Sequence, residues 1–190
     1  MPIVVVPYDP QWPTEFQKIK AKLVQYLEGV NVKSIEHVGS TSVPGLHAKA
    51  IIDIAVVVDA ATAPAAIAAI VEKGGYTYLG DRGIPDRYAF DAPEGESPPR
   101  NLYVTIDGCT SLRNQLGLRR VLREDAKLRE EYGAVKLGLA AQGLEIDDYV
   151  EGKSTVIQKI LAKAGLSNEE LETIFNLNRK PVAVLESGSE

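Results

Sequence analysis

Residues 51–58 read Ile-Ile-Asp-Ile-Ala-Val-Val-Val, an apolar run broken by one carboxylate, Asp53. A half-buried strand alternates apolar and polar residues. This run is apolar on both faces, which predicts a central strand covered on both sides. A carboxylate inside such a strand costs several kcal/mol unless something pairs with it. Asp53 therefore requires a metal ion, a basic side chain such as Lys49, or backbone donors; the plain alternative is an acid that caps a loop.

Upstream, residues 32–38 read as a second strand that runs into Gly39-Ser40, and twelve residues separate Ser40 from Asp53. The intervening loop carries Thr41, Ser42, Pro44 and Gly45. Backbone N–H groups of such a turn can cradle a phosphate while a nearby acid holds Mg²⁺.

The rest of the chain alternates and then changes character. A β-branched run at residues 3–6 predicts an edge strand or a strap. Pro13 opens a helix to Leu27 with Phe16, Ile19 and Leu23 on one face. An Ala-rich helix runs from Thr62 to Gly74-Gly75, followed by short strands at 76–79, 87–91 and 101–106. After Asp107-Gly108 the pattern is helical. Thr110 or Ser111 caps one helix, Asp125 a second, a third spans 147–164, and Ser167 with Glu170 forms a capping box for a fourth. The expected fold is α+β, one domain over residues 1–180, sheet-rich to 108 and helical from 109, with residues 181–190 a mobile tail.

The net charge of −5 gives no sign of a nucleic-acid-binding surface, and no apolar run reaches membrane-spanning length. A single cysteine, Cys109, rules out an internal disulfide and fits a reducing compartment. These features predict a cytoplasmic protein with neither a nucleic-acid nor a membrane partner; they leave the oligomeric state open.

Pro7-Tyr8-Asp9-Pro10-Gln11-Trp12-Pro13-Thr14-Glu15-Phe16, followed by Ile35-Glu36-His37-Val38-Gly39-Ser40-Thr41-Ser42-Val43-Pro44-Gly45-Leu46, resembles the GrpB (UPF0157) family. Leu118-Arg119-x-x-Leu122-Arg123, Tyr132-x-x-x-Lys136 and Tyr149-x-x-x-Lys153 resemble its helical half. The similarity spans about residues 3–160. It implies a nucleotidyltransferase-like mixed sheet with flanking helices, and with it a nucleotide such as ATP and Mg²⁺ on Asp53.

The chain also departs from that pattern. The superfamily's strand carries an acidic pair two residues apart, and here Ala55 and Ile51 flank Asp53. Glu36 or Asp107 would have to supply the second carboxylate. Asn101 and Tyr103 stand where many family members resemble His-x-His. With only His37 and His47, a histidine-rich metal site is excluded.

The candidate catalytic set is thus Asp53, Glu36, His37 and Tyr103. The candidates for holding phosphate or another anion are Gly39, Ser40, Thr41, Ser42, Lys49, Arg87, Arg119, Arg123 and Lys153. Arg119 and Arg123 are four apart and share a helix face, suited to bidentate anion recognition, or simply to a solvated basic face. Gly152-Lys153-Ser154-Thr155 imitates the end of a P-loop, but Asp147 stands where its first glycine belongs and no strand precedes it. The functional expectation is a nucleotidyltransferase-like enzyme acting on a small anionic metabolite. The alternatives are metal-independent acid–base chemistry on the same fold, or a non-catalytic ligand-binding module.

Overall fold

A computed structural model describes residues 3–178. Helix α1 (Trp12–Tyr26) precedes β1 (Val32–Val38), a single 3₁₀ turn (Ser40–Ser42) and β2 (Ile52–Val58). Helix α2 (Ala63–Gly74) leads to β3 (Thr77–Tyr78), β4 (Arg87–Asp91) and β5 (Arg100–Ile106). Five helices follow: α3 (Thr110–Glu124), α4 (Ala126–Ala141), α5 (Ile146–Gly152), α6 (Ser154–Lys163) and α7 (Asn168–Leu177). The fold class is α+β, with a mixed sheet of order β1-β2-β5-β4-β3. Strands β2 and β5 are parallel; the other neighbours are antiparallel.

Strand alternation divides the sheet into two unlike faces. On the back, Ile52, Ile54, Val56 and Val58 join Leu102 and Val104 against Phe16, Ile19 and Leu23 of α1 and Ala66 and Ile70 of α2. Each of the large side chains buried there contributes about 2 kcal/mol. On the front, Val38, Ala55 and Val57 meet Leu112 of α3. A separate core in the helical half gathers Leu118, Leu122, Leu128, Ile160 and Leu161. Val43 and Leu46, from the segment between β1 and β2, plug into that second core. The segment is thereby anchored to both halves.

Three sequence expectations are corrected. Residues 3–6 form no strand, only the isolated bridge between Val6 and Ala48. The helix expected over 147–164 is broken at Lys153. The expected capping residues Asp125 and Ser167 do cap α4 and α7, with the capping box to Glu170 complete. Helix α3 is instead capped by Cys109, whose Sγ accepts from the Leu112 N–H. The expected tail, residues 181–190, lies outside the described residues.

Candidate functional site

The register of the sheet decides which side chains can meet. Asp53 is opposite Val38 on β1 and Asn101 on β5, and these three share the front face. Tyr103, two residues beyond Asn101, and Arg87 of β4 continue along that face. Asn101 Nδ2 donates to Asp53 Oδ1 at 2.7 Å. The Arg87 guanidinium lies over the Tyr103 ring, 4.5 Å from its centroid.

Gly39 packs directly on the carboxylate. Its φ of +69° lies in the region that favours glycine, and a Cβ there would stand 2.1 Å from Asp53 Oδ2. The Gly-Ser pair is thus fixed by conformation and by contact with the acid. Ser40 begins the 3₁₀ turn and offsets part of the upward shift that burial gives the Tyr132 hydroxyl. The turn itself is held internally. Thr41 Oγ1 donates to the Ile51 carbonyl, and Ser42 Oγ donates to the Gly39 carbonyl.

A cavity of about 180 Å³ opens above Asp53. Ser40, Thr41, Lys49, Asp53 and Asn101 form its floor, and Lys136, Tyr149, Val150 and Lys153 form its roof. The roof follows from two matching pairs. Tyr132 and Lys136 on α4 are four residues apart, as are Tyr149 and Lys153 at the end of α5. The two ammonium groups sit 4.5 and 4.4 Å from the centroids of their tyrosine rings, as cation–π pairs. Lys136 Nζ also donates to the His47 carbonyl. Gly152 lets α5 approach α4, since a Cβ there would stand 2.6 Å from Leu139 Cδ2. The break after α5 therefore occurs where two helices touch closely, with Lys153 at the turn.

Electrostatics follow from this crowding. Burial pushes the Asp53 carboxyl above its ordinary range, against the Asn101 hydrogen bond and the charges of Lys49, Lys153 and Arg87. Burial, with repulsion from Lys153, brings Lys136 down to about 7. Burial and repulsion from Lys49 bring Lys153 down to about 8. Burial raises Tyr149 to about 12 and Tyr132 further still. The lining sets one carboxyl group against three amines, two of them brought down to about 7 and about 8.

The sequence-predicted residues divide sharply. Ser40, Thr41, Lys49, Asp53 and Lys153 converge on the cavity. Gly39 shapes it, while Tyr103 and Arg87 lie beside it on the same face. Five others do not line it: His37, Glu36, Ser42, Arg119 and Arg123. His37 faces the back of the sheet, opposite Ile54, stacked on Phe16 at 4.8 Å with Nε2 3.0 Å from Thr41 Oγ1. Burial and the nearby Arg123 and Arg119 lower it to about 4, so it is neutral at pH 7. Glu36 is on the front face but beside Ala55, where it pairs with Arg119 at 2.9 Å. Burial raises the Glu36 carboxyl, but Arg119 outweighs it and holds the group below its ordinary range. Arg119 donates further to the His37 carbonyl, and Arg123 donates Nε and Nη2 to the Ser42 carbonyl. These arginines fasten α3 to the β1–β2 segment.

Lys136, Tyr149 and Asn101 were not among the sequence-predicted site residues. A lysine in a helix reads as solvated, yet Lys136 is buried. The signal that could have found it is the repeated Tyr-x-x-x-Lys spacing, which places one lysine beside one ring on each of two helices.

The donor set does not fit a resident magnesium pair. Ala55 occupies the position of the second acid and packs against Leu112. Glu36 is engaged by Arg119, and Asp107 by Lys33 at 2.7 Å. Among the described residues no three His, Cys, Asp or Glu side chains are grouped to hold a metal ion. Mg²⁺ binding needs oxygen donors of net negative charge, and this lining is dominated by ammonium groups.

The family model described as GrpB protein matches residues 2–163. UPF0157 protein BH1888 of Halalkalibacterium halodurans is 36% identical over 163 residues, covering 85% of this chain and 82% of that one. The crystal structure of conserved protein GrpB from Enterococcus faecalis superposes with a TM-score of 0.73 at 31% identity, covering 90% of this chain and 99% of that chain. Cid1 in complex with its short product ApU superposes with a TM-score of 0.55 at 16% identity, covering 81% of this chain and 49% of that one. That likeness shows a shared nucleotidyltransferase-like fold. Among the described residues no helix is long and apolar enough to cross a membrane.

Proposed function

The chain belongs to the GrpB family, and from that premise we propose that it is a group-transfer enzyme that binds a small phosphate-bearing metabolite above Asp53. One observation carries the reading. Ser40 and Thr41 of the 3₁₀ turn, Asp53 and the amines of Lys49, Lys136 and Lys153 meet in a single cavity, although they are scattered over more than a hundred residues of chain. Ammonium groups beside a hydroxyl-bearing turn form an anion-binding arrangement. The shared fold with Cid1, solved with ApU, makes nucleotides the first ligands to try.

The chemistry would run on this chain's own groups. The lysines hold the phosphate and neutralise charge that builds on it as an acceptor hydroxyl attacks. The bond from phosphorus to the leaving phosphate breaks as the new oxygen–phosphorus bond forms. The acceptor proton passes to Asp53, whose raised pKa suits a general base.

Metal-independent acid–base chemistry on a carboxylated metabolite is the second reading. The amine of Lys136, brought to about 7 near Asp53, favours it, because a group poised at operating pH can both take and give a proton.

Calorimetric titration with nucleoside di- and triphosphates and simple sugar phosphates tests the first reading. It predicts saturable binding by at least one phosphate-bearing compound, abolished in Lys153→Met. Absence of binding by every phosphate-bearing compound at millimolar concentration removes it.

A further inference from the structure

The cavity contains too much positive charge for a site that takes its phosphate through metal ions. Lys49, Lys136 and Lys153 face one carboxylate, Asp53, so with all three amines protonated and Asp53 ionised the lining carries a net charge of +2. Two Mg²⁺ ions in a two-metal centre would be drawn in by two or more carboxylates and would then neutralise the phosphate. Here the lining already supplies that charge, and a divalent cation entering first would be repelled by it.

The carboxylate is also badly placed to hold a metal. Oδ1 receives the Asn101 amide, and Oδ2 is pressed against the Gly39 backbone. A metal ligand needs lone pairs directed at the ion, and the amide donor at 2.7 Å takes up one lone-pair direction of Oδ1. The amines, by contrast, are fixed in the roof by their tyrosine rings and face the floor. Burial first, and mutual repulsion second, bring the amine pKa values down, and an incoming anion would relieve the repulsion.

We infer that the site binds its phosphate anion without a divalent metal, with the ammonium groups of Lys49, Lys136 and Lys153 standing in for the cations of a two-metal centre. This rests on the anion-binding reading above and narrows it. The cavity volume of about 180 Å³ equals the share of roughly six water molecules. That accommodates a phosphate or pyrophosphate group, with the remainder of a larger ligand lying outside. The recognised class is therefore a compact phosphate or pyrophosphate group presented metal-free. Asp53 is a counter-charge and proton acceptor for this group.

The test is titration of the full chain with inorganic pyrophosphate, first in chelator and then in excess Mg²⁺, for the wild type and Asp53→Asn. The expected result is binding in chelator that Mg²⁺ does not strengthen. Asp53→Asn should bind pyrophosphate several-fold more tightly, because it removes the opposing charge and keeps the shape. Binding that requires Mg²⁺, or is lost in a folded Asp53→Asn, overturns this inference and leaves the anion-binding reading standing. No binding under either condition overturns both. The thermal transition of each variant shows whether a loss of binding reflects a loss of fold.

Discussion

Arg119 and Arg123 on α3, and Lys136 and Lys153 from the α4–α6 region, all approach the segment that joins β1 to β2. The arginines reach carbonyl oxygens and an acid: Arg119 takes His37 and Glu36, and Arg123 takes Ser42. Arg119 has a matching acid within the protein, and Arg123 has a backbone carbonyl. The lysines stand over aromatic rings at the mouth of a cavity, Lys136 donating as well to the His47 carbonyl, with one carboxylate among three amines. Their charge is left in excess. Similar cations can therefore act as fasteners or as a receptor, and the deciding factor is whether their partners come from the chain or must be brought by a ligand.

Exchanging the cations one at a time would break or sharpen this contrast. The largest effect is expected for Lys153→Met: about a hundredfold loss of phosphate affinity, or about 2.7 kcal/mol, read by calorimetry. Its melting temperature should hold or rise, because a half-buried charge without a matching acid is removed. Arg119→Met should behave in the opposite way. Leaving Glu36 and the His37 carbonyl unpaired costs about 2 kcal/mol of stability, measured by urea unfolding, with phosphate affinity changed by less than about threefold.

The same contrast explains what the sequence revealed. Strands β1, β2, β4 and β5 were legible because their apolar pattern and turn residues agree, and Asp53 stood out because it violates that pattern. The roles of Arg119 and Arg123 were not legible. Their spacing gives a shared helix face but does not say what lies against it, and the answer is the end of β1 and the turn after it, some eighty residues away. Lys136 was hidden for the converse reason. Its helix has a weakly amphipathic pattern, and only the packing of Leu128, Tyr132 and Gly133 shows that its face is buried. The break at Lys153 falls beside the close approach of Leu139 to Gly152, a contact between helices that local propensity does not contain.

pH separates the two groups next. An anion binds the protonated amines and raises their pKa, so binding takes up protons once the free amines begin to lose theirs. Phosphate affinity should be level below pH 7 and fall as pH rises through about 7 and 8, the values for Lys136 and Lys153. The slope approaches about tenfold per pH unit for each amine that must be recharged. Titration in buffers of differing ionisation heat would show the matching proton uptake.

On the arginine side, pH should act on stability. His37 is neutral in the fold down to about 4, against an ordinary value of 6.5. Between those values the unfolded chain binds the extra proton and the folded chain does not, so stability falls as pH drops through that window. Unfolding midpoints from pH 7 to 4 measure it. His37→Gln should flatten the His37-dependent part of the dependence, the smallest of the expected effects.

The contrast between matched and unmatched cations is tested most directly by the rise in melting temperature on adding pyrophosphate in chelator, compared in the wild type, Arg119→Met and Lys153→Met. The account predicts a clear rise for the wild type, the same rise from a lower baseline for Arg119→Met, and none for Lys153→Met. A rise preserved in Lys153→Met and absent in Arg119→Met would contradict it.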